Sequence, residues 1–174
     1  MIRGEKVCLR PLRRSDLDLL HKYANDPEFE SEFNNFGLKR DQHLLAAFEE
    51  DGLLSSQFAN LVVTTPDDQF LGTVSYHPAP RYGPDASMAY NIGISLAPEQ
   101  RGKGYGSEAQ KLLADYLFNT YPVIRVEATT DITNIAEQRT LEKVGFTREG
   151  VLRRAQWRTG DWHDMVLYSK IRGE

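Results

Sequence analysis

Between a stretch that reads as a strand and one that reads as a helix, the chain carries Gln100-Arg101-Gly102-Lys103-Gly104-Tyr105-Gly106. Three glycines at alternate positions beside two cations exceed what a strand-to-helix turn needs. Glycine accepts positive φ and lets the backbone approach a ligand with no Cβ in the way. A helix starting there presents free N–H groups and the positive end of its dipole, so the segment predicts an anion site with phosphate or pyrophosphate as guest. An ordinary turn is the plain alternative. The P-loop pattern G-x-x-x-x-G-K-[ST] does not fit, because no Gly-Lys pair here precedes Ser or Thr. The dinucleotide fingerprint G-x-G-x-x-G fails at its last position, which is Ser107, although Glu127 stands about 20 residues on, where that fold wants an acid. The strands before the loop read as a hairpin and only one further β-α unit follows, so the redox reading loses.

Patterning around the loop gives the order β-α-α-β-β-β-α-β-α-β-β, a mixed α+β chain. Residues 6–11 alternate with Val7 and Leu9 on one face and end near Pro11. Ser15 and Asp18 form an S-x-x-D signal for a helix with Leu17, Leu20 and Ala24 inward, stopped by Pro27. A second helix is expected over 40–50, closed by Gly52. Strands over 58–65 and 70–77 flank a Pro66-Asp67-Asp68 turn, and the Pro-rich stretch 77–87 reads as a long hairpin loop before a strand over 88–97. Ala109, Leu112, Leu113, Tyr116 and Leu117 recur at helical spacing. A strand over 123–129 precedes a helix over 134–144 with Gly145 at C′. Two last strands cover 151–157 and 163–171.

Composition narrows the function classes. A chain of 174 residues suits one domain, 1–174, and 40% apolar with 26% charged residues excludes wholesale disorder. No stretch approaches the ~18 apolar residues of a membrane span, and the N-terminus has no apolar signal region. The lone Cys8 rules out an internal disulfide and suits a reducing cytoplasm, and it reads as core. His21, His43, His77 and His163 lack metal-ligand spacing, so no metal is expected. A net charge of −4 argues against nucleic acid and favours a cationic partner.

The R-x-x-G-x-G run from Arg101 to Gly106 resembles the acetyl-CoA pyrophosphate loop of the GNAT N-acetyltransferase superfamily. Further segments resemble its RimJ/RimL-like (ribosomal-protein-alanine N-acetyltransferase-like) branch: Leu9-Arg10-Pro11-Leu12, Ser15-Asp16, Asn25-Asp26-Pro27, Asn134-Ile135-Ala136 and Leu141-Glu142-Lys143-Val144-Gly145-Phe146. Glu149-Gly150 and the run from Asp161 to Tyr168 resemble its closing hairpin. Together these span nearly the whole chain in the family's order.

The resemblance implies a GNAT fold, a mixed and mostly antiparallel sheet of about seven strands flanked by four helices. Its splayed central strands, here 88–97 and 123–129, would hold acetyl-CoA. It implies that Ile94 and Leu96 pair with the pantetheine amides and that Arg101, Gly102, Lys103, Gly104, Tyr105 and Gly106 hold the pyrophosphate. Asn134 would touch the pantetheine arm, cap its own helix, or both; Arg139 would reach the 3′-phosphate or stay solvated. Glu127 is the candidate base, with pairing to Arg125 or Arg148 as the alternative. A backbone N–H near Leu96 would hold the oxyanion. Two departures stand out: Leu141 occupies the place of the superfamily's acid tyrosine, as is usual in this branch, and Glu137 replaces a frequent serine and is expected to point away from the phosphates. His163 reads as a surface hairpin residue or as part of an acceptor pocket. Tyr23, Phe29, Phe33 and Phe36 would give that pocket an aromatic wall or serve core packing. The implied activity is transfer of acetyl from acetyl-CoA to a protein N-terminal amine or a small amine, by direct attack in a ternary complex. A longer acyl group, or a non-catalytic acyl-CoA sensor, shares the same residues. The expected partners are acetyl-CoA and an amine, with no nucleic acid and no membrane, in a cytoplasmic monomer or homodimer.

Overall fold

Pro66 and Asp67 lead to Asp68, whose φ of 67° lets the chain reverse between β3 (Ala59–Thr64) and β4 (Phe70–Pro78). The computed structural model describes residues 1–39, 43–79 and 88–174. Within them the hairpin is the middle of an eight-stranded sheet. Chain order adds β1 (Ile2–Arg3), β2 (Cys8–Pro11), α1 (Leu17–Tyr23), α2 (Pro27–Glu30) and α3 (His43–Asp51) before it. After it come β5 (Ala89–Leu96), α4 (Tyr105–Thr120), β6 (Arg125–Asp131), α5 (Ile135–Lys143), β7 (Thr147–Arg158) and β8 (Asp161–Ile171). The spatial order is β1-β2-β3-β4-β5-β6-β8-β7, antiparallel throughout except for the parallel pair β5–β6.

This is the expected α+β GNAT architecture, with one strand and one short helix more than anticipated. The expected helix start over 40–42 and most of the 77–87 loop lie outside the described residues. Pro27 does not simply stop α1. It is the first residue of α2, whose amides at Glu28 and Phe29 donate to the Asp26 carboxylate, the position where a missing N–H costs nothing. Ser15 does not cap α1 either: a short 3-10 turn, Arg14–Asp16, precedes it, with the Asp16 carboxylate accepting from the Arg13 N–H at 2.7 Å. Asp16 also pairs with Arg10, which is nearly buried and bonds Asp68 at 2.7 Å as well. That is why β2 is covered on both faces rather than alternating.

One sheet face packs on α4 and α5. Ala109, Leu113 and Leu117 are fully buried there against Tyr76, Tyr90, Ile92 and Leu141, with Leu112 and Tyr116 at the edge of the same core. The other face carries a smaller core of Leu12, Leu17, Leu20, Leu53 and Val62 under α1 and α3. The helix α5 ends as the sequence predicts: Gly145 has φ 87°, the Gly145 N–H donates to Glu142 C=O, and Phe146 N–H donates to Leu141 C=O. No helix among the described residues is long and apolar enough to cross a membrane.

Candidate active site

The parallel ladder between β5 and β6 stops early. It runs from Ala89↔Arg125 to Ile92↔Ala128, yet β5 continues to Leu96 and β6 to Asp131. Each arm stays paired on its outer side, β5 with β4 up to Gly72↔Leu96 and β6 with β8 up to Asp131↔Met165. The sheet therefore opens as a V. At its apex the Asn91 amide donates to Thr129 Oγ1 at 3.1 Å.

Which groups face the gap follows from the ladder on the other side. Ala79 N–H donates to Ala89 C=O, and Ala97 N–H to Leu71 C=O, so the odd-numbered residues of β5 spend their backbone groups on β4. Antiparallel pairing alternates bonded and non-bonded pairs. Tyr90, Ile92, Ile94 and Leu96 therefore turn N–H and C=O toward β6, and the last two meet no strand there. Unpaired backbone groups at such a place require partners. The Leu96 carbonyl, however, is already taken by Arg101 Nε at 3.1 Å.

Past β5 the chain turns through Pro98–Gln100 into the glycine loop. Gly102 and Gly104 have φ 73° and 84°, and a Cβ at Gly102 would meet nothing within 4 Å, so that conformation serves an open cradle rather than tight packing. Gly104 is the N-cap of α4, and no side chain caps the helix. The first amides of α4 are thus left to an anion. Gly106 sits inside the first turn, near Ile94 and Leu96. Glu108, the one acid of that turn, is bonded to the amides of Glu5 and Lys6. That contact brings the Lys6 ammonium to 3.7 Å from where a Gly104 Cβ would stand. Lys6 is a cation at the loop that no local motif announces.

Arg101 corrects an expectation. Its guanidinium does not face the loop; besides the Leu96 carbonyl it bonds the carbonyls of Glu28 and Phe29 at 2.9 and 2.8 Å. It ties the V to α2. Lys103 bonds Gln100 and stays exposed, and Tyr105 packs half-buried on the core. Asn134 caps α5 through the Glu137 N–H at 3.3 Å, and Arg139 is exposed on that helix. Glu137, expected to point away from the phosphates, turns toward α4. It is partly buried beside Gln110 of α4, and burial pushes its carboxyl up to about 7.

Of the two expectations for Glu127, base or ion-pair partner, the structure has the pairing with Arg125. Glu127 shares the sheet face of Ser95, but it stands opposite Asn91, four residues or roughly 13 Å before Ser95 along the strand. Its carboxylate is buried against Arg125 Nε at 2.6 Å, and Arg125 in turn bonds Glu149. The arrangement is a structural ion pair on the closed part of the sheet. Leu141 is fully buried in the core.

On the face opposite α4, over the β5 arm, lies a cavity of about 240 Å³. Tyr23 and Phe29 form part of its wall, stacked at 4.3 Å, which places two of the four expected aromatics in it. Ile94 and Ser95 line it from the free arm, Asn60, Thr73 and Ser75 from the neighbouring strands. Above it, residues 28–33 cross the mouth of the V as a strap. Arg101 holds one end, and Arg158 holds the other through the Phe33 carbonyl at 3.2 Å. Arg158 is itself buried on Asp131 at the tip of β6, where His163 Nδ1 also lies 3.1 Å from Asp131. His163 is therefore pinned inside the second arm rather than free on the hairpin. Glu30 hangs from the middle of the strap into the cavity, where it is bonded by Lys39. Glu30, Lys39 and the Asp131–Arg158–His163 cluster have no local sequence signature.

Residues 6–147 match the profile of the acetyltransferase (GNAT) domain. The chain is 28% identical to the probable N-acetyltransferase YjcK of Bacillus subtilis over 171 residues, covering 94% of this chain and 93% of that one. Its fold superposes on the crystal structure of spermidine N-acetyltransferase from Vibrio cholerae in complex with CoA and spermine with a TM-score of 0.82, at 19% identity and 97% coverage of both chains. It also superposes on ribosomal-protein-S5-alanine acetyltransferase from Vibrio fischeri with a TM-score of 0.76, at 24% identity, over 99% of this chain and 96% of the other.

Proposed function

This chain belongs to the GNAT acetyltransferase family, and from that premise we propose how its own residues divide the work of an acetyl-CoA-dependent N-acetyltransferase. The observation that carries the assignment is the V between β5 and β6, with an amide-lined anion cradle at one end and a cavity on the far face. Acetyl-CoA supplies an activated acyl group and a good leaving group.

The loop amides from Gly102 to Gly106, with Lys6 and Lys103 beside them, bind the pyrophosphate. Leu96 N–H and the Ile94 carbonyl take the pantetheine amides, the Asn134 side chain reaches the same arm, and Arg139 attends the 3′-phosphate. From loop to apex the order is Leu96, then Ile94. The thioester end therefore lies by Ile94, and its N–H, rather than that of Leu96, is the better-placed donor for the oxyanion. The acceptor enters from the cavity. Its nitrogen attacks the acyl carbon directly, a C–N bond forms as the C–S bond breaks, and the departing sulfur takes its proton from the attacking amine or water. The chain contributes chiefly by holding the two reactants in line.

The test is thermal unfolding with CoA and acetyl-CoA, on the wild type and on Gly104→Trp, followed by thiol release with a panel of amines. A ligand at 100 times its Kd stabilises by about 2.7 kcal/mol. Stabilisation in the wild type that is lost in the variant, with amine-dependent thiol release, is the expected result. Stabilisation without any release would leave a binding module instead of an enzyme.

A further inference from the structure

We propose that Glu30 is the seat for the ammonium group of the acceptor, and that Lys39 occupies this seat until the acceptor displaces it; this rests on the acetyltransferase reading above. Glu30 is only 7% exposed and hangs from a strap whose two ends are fastened to the two arms of the V, by Arg101 and by Arg158. A carboxylate in such a place must be paired, and it is paired with an alkyl ammonium, the side chain of Lys39. Chemically that group is a primary amine of the kind the enzyme acetylates. It reaches the cavity from the protein's own chain while remaining half exposed, with 46% of its side chain in solvent. It can therefore leave without breaking a packed core.

The rest of the wall is built to accept hydrogen bonds from such a group. Asn60 lines the same cavity, and its Oδ1 is buried without a partner. Thr73, Ser75 and Ser95 add hydroxyls on the floor beside the free arm of β5. An ammonium has three donors and no acceptor, so Glu30 and Asn60 complement it where a hydroxyl or a neutral amide would leave one of them wanting. Among the described residues the carboxyl and basic side chains lining the cavity are Glu30, Lys39 and His21, so once Lys39 is displaced a carboxylate on the substrate would face Glu30. The lining thus favours aliphatic amines with no acidic group over free amino acids.

The experiment compares steady-state thiol release from acetyl-CoA with 1,4-diaminobutane and with 4-aminobutanoate, which share a chain length and differ in one end. It uses the full-length wild type, Glu30→Gln and Lys39→Met. Expected for the wild type is a preference of about tenfold or more for the diamine, the range of a hydrogen bond to a charged group. Glu30→Gln should raise KM for the diamine by a similar factor and erase the preference. Lys39→Met should lower that KM, because the resident competitor is gone. Both variants break the same ion pair, so a merely structural pair would make both worse, and equal losses overturn the proposal. So does a gain of one acetyl group on Lys39 in the intact protein, which would make it a substrate instead of a placeholder. Stabilisation by CoA is measured on each variant. Its loss in the wild type would count against the acetyltransferase reading, whereas its retention with unchanged KM values in both variants would count against Glu30 alone.

Discussion

The two ends of the V are made of different material. The cradle at the N-terminus of α4 is backbone: amides of a loop in which Gly102 and Gly104 hold positive φ and no capping side chain competes. The cavity on the other face is side chain, gathered from α1, α2, three strands and the segment around Lys39. A backbone site needs residues in fixed succession, because the groups that bind are consecutive along the chain. A side-chain site needs only that distant residues arrive together. The first leaves a spacing in the sequence and the second leaves almost none. The same division predicts that a cofactor shared across a family is held by the former and that the acceptor, which varies, is chosen by the latter.

The comparison is broken most severely by Gly72→Ala. A Cβ there would stand 2.2 Å from the Ser95 carbonyl oxygen and 2.8 Å from Leu96 Cα, both backbone, so neither can yield as a side chain tip would. The free arm of β5 must shift into the gap. Loss of acetyl-CoA stabilisation together with about 2–4 kcal/mol of folding stability is the expected outcome in calorimetry and denaturant titration. A variant that still binds acetyl-CoA like the wild type would mean that the arm's position does not define the cofactor site.

A smaller effect separates structural from chemical carboxylates. Glu127→Gln removes the buried partner of Arg125 while Glu149 still accepts from that arginine. The expected cost is about 1–3 kcal/mol of stability, with kcat/KM for an amine within about threefold of the wild type. A fall of a hundredfold or more at unchanged cofactor binding would restore Glu127 as the base, since general bases contribute about 10²–10⁴-fold.

The smallest effect concerns Glu137, between the two helices that flank the cradle. Its folded carboxyl titrates near 7 because burial disfavours its charge, above the usual value of 4.5. The folded state therefore holds this proton more tightly than the unfolded chain. The site favours folding below the unfolded value, and that contribution declines as pH rises through about 7. Glu137→Gln should thus gain on the wild type in Tm, by a few degrees, when the pH is raised from 5 to 8. A difference in Tm that is flat with pH would show that Glu137 is charged throughout.

Local rules served where local physics decides. The helical spacing from Ala109 to Leu117 gave the buried face of α4, and Gly145 marked the end of α5, because both depend on neighbours within two turns. The Pro66 turn and its flanking strands came out for the same reason. Pro27 was misjudged since proline stops one helix and opens another with the same missing N–H, and only Asp26 behind it settles which. For Glu127 the sequence leaves two readings open, a base or a partner of Arg125, because strand alternation gives the face of a residue but not its height on the sheet relative to the gap.

The glycine spacing by itself predicts an anion cradle, since such a cradle is written in consecutive backbone groups, and the ordered motifs carry the resemblance to the GNAT family. Where the ladder between β5 and β6 gives out, that Arg101 and Arg158 serve as fastenings for a strap, and that Glu30 meets Lys39 over the gap, were decided by tertiary structure. Those relations join residues as far apart as Phe33 and Arg158. Burial and charge pairing act on distance in space, and no pattern along the chain encodes that distance.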